Sequence, residues 1–239
     1  MRCAFWIGFR LAARGDVGPA SGWLSRAARL IEREGTDCVE QGYLLLPTGF
    51  HKLVAGDADA AWSAAVDAAD IGQRFADADL LSLALHLQGR ARLRQARVAE
   101  GLALLDEAMV DVASGRVSPH VTGLVYCSVI GACRSVFDLR RMHEWTSALA
   151  DWCRAQPELV AFSGECIAYR SELLNLRGDW HGAIEEARRV CDDAASGMHE
   201  PSVAAAAVHQ CGDAHRLLGD FAAAEDCYRR ASRLGREPL

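Results

Sequence analysis

A turn-like pair of residues recurs along this 239-residue chain at a nearly constant interval, and that interval constrains the fold more than any other feature. The pairs are Gly15-Asp16, Gly56-Asp57, Ala96-Arg97, Phe137-Asp138, Gly178-Asp179 and Gly219-Asp220, and their first residues are separated by 41, 40, 41, 41 and 41 positions. The Gly-Asp pairs explain themselves locally. Glycine takes the left-handed conformation that ends a helix, and aspartate accepts hydrogen bonds from the amides that open the next one. Seven positions before each turn stands Gly8, Gly49, Gly89, Ile130, Ser171 or Gly212, and twelve after it Ala27, Ala68, Ala108, Leu149, Val190 or Ala231. A small residue before the turn lets the second helix approach, while positions five, nine and twelve after it share one helical face. In the last repeat that face is Ala224, Tyr228 and Ala231.

Second turn signals fall between these hairpins, at Glu34-Gly35-Thr36-Asp37, Phe75-Ala76-Asp77, Ser114-Gly115 through Pro119, Gln156-Pro157, and Ser196-Gly197 through Pro201. The expected architecture is all-α, a right-handed α-solenoid of six helical hairpins and about twelve helices without a sheet. The hairpins span approximately 1–34, 38–76, 79–114, 119–156, 159–196 and 201–236 of a single repeat domain, 1–239. No hairpin buries its apolar face alone, so neighbours must stack. Composition agrees, because 51% of residues are hydrophobic but only 7% aromatic, so Ala, Leu and Val must build close-packed helices.

Charge narrows the partners. A net charge of −6 and a pI near 5.8 provide no general attraction to nucleic acid or anionic membranes, so neither is an expected partner. The longest uncharged stretch, Val121 to Cys133, is too short for a membrane span of roughly 20 residues. The apolar start at Phe5 to Phe9 is cut short by Arg10, unlike an export signal. Nine cysteines form no CxxC pair and are odd in number, which argues against a disulfide framework and a standard zinc site and points to a reducing cytoplasm.

The small residue before the turn, the Gly-Asp turn and the alanines after it resemble the tetratricopeptide pattern, stretched from its usual length to about 41 residues. Two phrases, Phe137 to Thr146 (FDLRRMHEWT) and Cys211 to Phe221 (CGDAHRLLGDF), resemble the helical-repeat region of actinobacterial LuxR-family (MalT-like) transcriptional regulators. That resemblance implies a sensor module placed between a P-loop ATPase and a DNA-binding helix-turn-helix. No GxxxxGK[ST] cradle occurs in this sequence, and no segment reads as a DNA-binding domain, so only the middle part is carried over. The remaining expectations are a fragment of such a regulator or a stand-alone remnant of one.

Clusters that tempt a chemical reading have plainer ones. His209 and Asp213 are an i,i+4 pair near Cys211 and His215, but a metal there would need a further ligand from another helix. Cys127 and Cys133 are six apart and read as small buried hydrophobes. Glu185/Glu186, Asp192/Asp193 and Glu165/Glu172 read as a solvated face. Trp145, Trp152 and Trp180 read as packing residues. No cofactor, metal or catalytic residue is expected.

In solenoids of this kind the first helix of each hairpin lines the concave surface. Extending the register points to Phe50, His86, Arg90, Arg134, Glu172, Asn175, His209, Asp213 and Arg216 as groove residues. The expected function is a non-catalytic protein-interaction or effector-sensing module for a protein, a peptide or a small inducer. The rivals are an α/α-toroid enzyme, against which stands the absence of any assembled constellation, and a scaffold with no small ligand. Phe5, Trp6, Ile7 and Phe9 at the start, and Phe221, Tyr228 and Leu234 at the finish, suggest uncapped ends and self-association.

Overall fold

The six turn positions all take the conformation that reverses the chain. Gly15, Gly56, Gly178 and Gly219 have φ between 83° and 85°, and the non-glycine Ala96 and Phe137 are held at 61° and 56°. Each turn closes with paired Schellman bonds. The Asp57 amide donates to the Lys52 carbonyl at 2.9 Å and the Gly56 amide to Leu53 at 3.2 Å, and Arg97 and Ala96 repeat this toward Arg92 and Leu93 at 2.9 and 3.0 Å. The following aspartate then caps the next helix, as when Asp57, Asp138, Asp179 and Asp220 accept from Ala60, Arg141, Gly182 and Ala223 at 3.0–3.2 Å.

The computed structural model describes residues 1–13, 15–35, 37–155, 160–194 and 201–235, without the side chains of 13, 160–166, 190–194 and 201–202. Among them are twelve helices and no strand. The first six are α1 (Arg2–Ala13), α2 (Val17–Glu34), α3 (Glu40–Val54), α4 (Ala58–Arg74), α5 (Ala78–Arg94) and α6 (Val98–Ala113). The other six are α7 (Pro119–Ser135), α8 (Leu139–Ala155), α9 (Val160–Arg177), α10 (Trp180–Ala194), α11 (Pro201–Leu217) and α12 (Phe221–Arg233). The fold is all-α and of the hairpin-repeat, α-solenoid class. The turn signals at Gln156-Pro157 and Ser196-Gly197 lie outside the described residues.

The chain forms two compact units, 1–125 and 126–239. In the first, α1 to α6 make three hairpins joined to the opening turn of α7. Ala20, Ala27, Ala61, Ala68 and Ala108 are all buried, as the repeat register requires. Close approach is visible at Gly89, where a Cβ would come within 2.7 Å of Leu105 and 2.9 Å of the Gly101 carbonyl. In the second unit Met142, Leu149, Ala183, Ala224 and Ala231 occupy equivalent buried positions. Here Ser171 replaces the small glycine, and its hydroxyl donates to the Ala183 carbonyl at 2.8 Å. Cys127 and Cys133 are buried as read, while Trp145 and Trp152 pack on Tyr126.

Candidate functional site

Within the first unit α3 comes close to both α1 and α5, whereas the second helices α2, α4 and α6 make no such backbone approach to one another among the described residues. The first helices therefore line the inner side of the curvature. Glycines on α3 explain the close approach. A Cβ at Gly42 would lie 2.5 Å from Leu80, and one at Gly49 would lie 2.7 Å from Leu87, both leucines of α5.

This approach brings Phe50 of α3 between Phe9 of α1 and His86 of α5, with ring centroids at 5.8 and 5.7 Å. The Arg90 guanidinium lies 5.8 Å over the Phe50 ring. Phe50 and Arg90 are half-buried. His86 is only 3% exposed, so the expectation that it lines an open groove gives way to a packed ring beneath that surface. Burial and then the Arg90 charge push its pKa down to about 3, which leaves a neutral imidazole.

Further along the same helices, Tyr43 packs on Phe5 at 5.1 Å and Trp6 meets His120 of α7 edge-on at 4.8 Å. Asp77 gathers this end. One oxygen accepts from the Tyr43 hydroxyl and the Leu80 amide, both at 2.9 Å, and the other accepts from Arg2 at 3.0 Å. Burial and the Asp77 carboxylate hold the Tyr43 phenol well above its ordinary pKa. Phe5 and Tyr43 are thus core residues of the inner face. The sequence predicts an uncovered end at Phe5, Trp6, Ile7 and Phe9; in the structure Phe5, Trp6 and Phe9 pack onto α3 and α7, while Ile7 is exposed.

In the second unit α9 and α11 also approach. The expected groove residues here are engaged with one another or with the next first helix. Arg134 pairs with Glu172, and the Asn175 amide donates to the Gln210 backbone and side-chain oxygens at 2.8 and 3.1 Å. His209 stands 3.2 Å from Asp213, which accepts from the Tyr228 hydroxyl at 2.8 Å. Burial raises the Asp213 carboxyl, but His209, Tyr228 and the Arg216 charge together bring it below its ordinary range. Arg216 is exposed.

Sequence reading missed other groups. Glu186 is not on a solvated face: it is 7% exposed and pairs with Arg170 at 2.8 Å and Arg189 at 3.3 Å, while Glu185 is exposed. A cleft of about 260 Å³ between α8 and α9 is bordered by His143, Thr146, Arg154, Arg170 and Arg177. Cys211 and His215 of α11 do meet a third metal-binding side chain, Cys227 of α12. The Glu186–Arg170 pair and the approach of Cys227 to Cys211 and His215 leave no local sequence signature, because each joins residues on different helices.

No protein-family profile matches the chain, and no curated protein matches it. Solved structures do. BtubC (BKLC) from P. vanneervenii superposes with a TM-score of 0.69 at 19% identity over 90% of each chain. NprR, solved in complex with its cognate peptide NprX, gives 0.62 at 11% identity, covering all of this chain and 68% of that one. A Signal Transduction ATPase with Numerous Domains from Pyrococcus horikoshii, with a tetratricopeptide repeat sensor, gives 0.58 at 14% identity. This chain spans 96% of itself but only 35% of that protein. At such identities the likeness establishes the fold, a helical-repeat array. No described helix is long and apolar enough to cross a membrane.

Proposed function

We propose that this chain is a non-catalytic sensing module that binds an extended peptide along the first helices of its first unit, as the regulatory part of a LuxR-family (MalT-like) regulator or a stand-alone relative of one. The observation that carries the reading is the row Phe9, Phe50 and Arg90 on three successive first helices, with Phe50 and Arg90 half-buried. A half-exposed ring under a guanidinium suits an apolar side chain beside a carboxylate, such as an apolar C-terminal residue. The peptide held by NprR in the same fold class supports a peptide ligand here. The resemblance of the repeat phrases supports the regulator context, and the cytoplasm is its natural setting.

A peptide array varying in apolar and acidic content is the test of binding. Captured peptides should bind in solution by calorimetry, and Phe50→Ala and Arg90→Ala should each weaken them at least ~10-fold, the size of an interface hot-spot loss. Glu185→Ala should leave them unchanged. No capture, or capture indifferent to both substitutions, would refute the site. The regulator context is tested separately by the neighbouring reading frames, which should encode a P-loop ATPase or a helix-turn-helix.

A further inference from the structure

The last hairpin brings three thiophilic-metal ligands to one place. Cys211 and His215 are four apart on α11 and so stand one turn apart on one face, and Cys227 faces them from α12. Their ligand atoms all lie within 4.8 Å of one another. Gly212 explains why the helices come so close here, since a Cβ on it would meet the Tyr228 ring at 2.7 Å and Cys227 at 3.2 Å. The two cysteines are 6% and 8% exposed, and the His215 side chain 16%.

The repeat itself supplies an independent check. Cys211 stands eight positions before its turn and Cys227 eight after it. In the preceding repeat those two positions hold Arg170 and Glu186, which form an ion pair at 2.8 Å, so the fold turns this pair of positions toward each other. In the sixth repeat alone they carry two thiols, and the position four residues before the turn carries a histidine. A fourth group orients that histidine. Asp220 uses one oxygen to cap α12 through the Ala223 amide at 3.2 Å and sets the other 3.5 Å from His215 Nδ1. A carboxylate against one ring nitrogen fixes the tautomer and leaves Nε2 as the metal ligand.

The geometry points to a zinc site formed by Cys211, His215 and Cys227, oriented by Asp220. Thiolate and imidazole are the donors that Zn²⁺ takes in tetrahedral sites, and bonds of about 2.3 and 2.0–2.1 Å set neighbouring ligand atoms roughly 3.6–3.8 Å apart. Closing the 4.8 Å envelope to that size is within the reach of side-chain rotation. Three protein ligands leave a fourth position for water, and the bound ion ties α11 to α12. Each thiol gives up its proton on binding, and no electron is transferred.

The test uses the whole chain, reduced and freed of metal, titrated with Co²⁺ as a spectroscopic stand-in and then with Zn²⁺ against a chromophoric chelator. One equivalent of Co²⁺ should bring up a thiolate-to-metal charge-transfer band with tetrahedral ligand-field bands, and one equivalent of Zn²⁺ should abolish them. Cys227→Ser and Cys211→Ser should each weaken Zn²⁺ binding by more than Asp220→Asn, which alters only the partner of His215 Nδ1 and should cost ~10–100-fold. Asparagine still caps α12, so that variant separates ligand orientation from folding. Cys153→Ser, on α8, should bind like the parent. Circular dichroism of every variant reports folding. A helical protein that shows no charge-transfer band overturns the site. So does a band that survives Cys227→Ser, or a Cys211–Cys227 disulfide whose reduced form takes up no metal. Neither these outcomes nor those of the peptide array bear on the other reading.

Discussion

Replacing Gly89 and Gly22 by alanine, one at a time, isolates the energetic weight of hairpin closure. Both glycines sit inside helices of the first unit, α5 and α2. Alanine is favoured over glycine in a helix interior by about 0.8–1.0 kcal/mol, and this gain is common to both sites. At Gly22 nothing lies within 4 Å of the added methyl, so the gain stands alone. At Gly89 the methyl would fall 2.7 and 2.8 Å from Leu105 and 2.9 Å from the Gly101 carbonyl, and backbone cannot rotate away. Overpacking of that kind costs about 1–3 kcal/mol. Because the propensity terms cancel, Gly22→Ala should exceed Gly89→Ala in stability by that same margin of about 1–3 kcal/mol. Urea unfolding followed by circular dichroism measures both, and a chain of this size should show about 2–4 °C in Tm for each kcal/mol. Equal stabilisation by the two substitutions would mean that α5 and α6 do not approach as described, and the register built on the small position would fall with it.

Two further outcomes follow from groups on the same inner face. Asp77→Ala removes a helix cap and the acceptor of Tyr43 and Arg2 together, so it should lower stability clearly more than Asp57→Ala, which removes a cap and only an exposed ion pair to Lys52 and should cost about 1 kcal/mol by urea midpoint; equal losses would contradict the Asp77 cluster. His86 has a folded pKa depressed from 6.5 to about 3, so below pH 6.5 the unfolded chain binds the extra proton and stability falls as the pH drops through that window. His86→Phe should flatten the fall between pH 7 and 5, and parallel profiles for the two proteins would show that the imidazole is not buried and neutral.

Periodicity made the fold legible and left the site half-legible. The interval of 41 residues placed turns at Ala96 and Phe137 although neither is a turn former, and both adopt positive φ, because the surrounding hairpin overrides local preference. The buried alanines followed from the same register. What periodicity does not encode is how far the first helices lean on one another. That depends on Gly42 and Gly49 admitting Leu80 and Leu87, and it converts Phe5, Trp6 and Phe9 from an apparent bare end into inner-face packing. The same lean covers His86 with Phe50. Glu186 read as solvated because its partner Arg170 stands on the preceding helix. Cys227 escaped notice for the same reason, since the turn separates it from Cys211 and His215 and no short motif spans them.

The electrostatics of the two inner faces decide where an extended ligand is easier to hold. In the second unit Arg134 is matched by Glu172, Asn175 by Gln210, and Asp213 by His209 and Tyr228. A peptide lying there must displace those partners before it gains any of its own, and burying a polar group that loses its partner costs about 1–3 kcal/mol. In the first unit the corresponding row is Phe9, Phe50 and Arg90, where ring faces and a guanidinium stand together. Neutral His86 beneath adds ring surface without setting a second positive charge against Arg90. Apolar contact on a half-buried ring would gain roughly 25 cal/mol per Å² removed from water. On the proposed reading an extended ligand therefore starts on the first helices of the first unit, while the Arg134–Glu172 and Asn175–Gln210 contacts of the second unit tie α7 to α9 and α9 to α11.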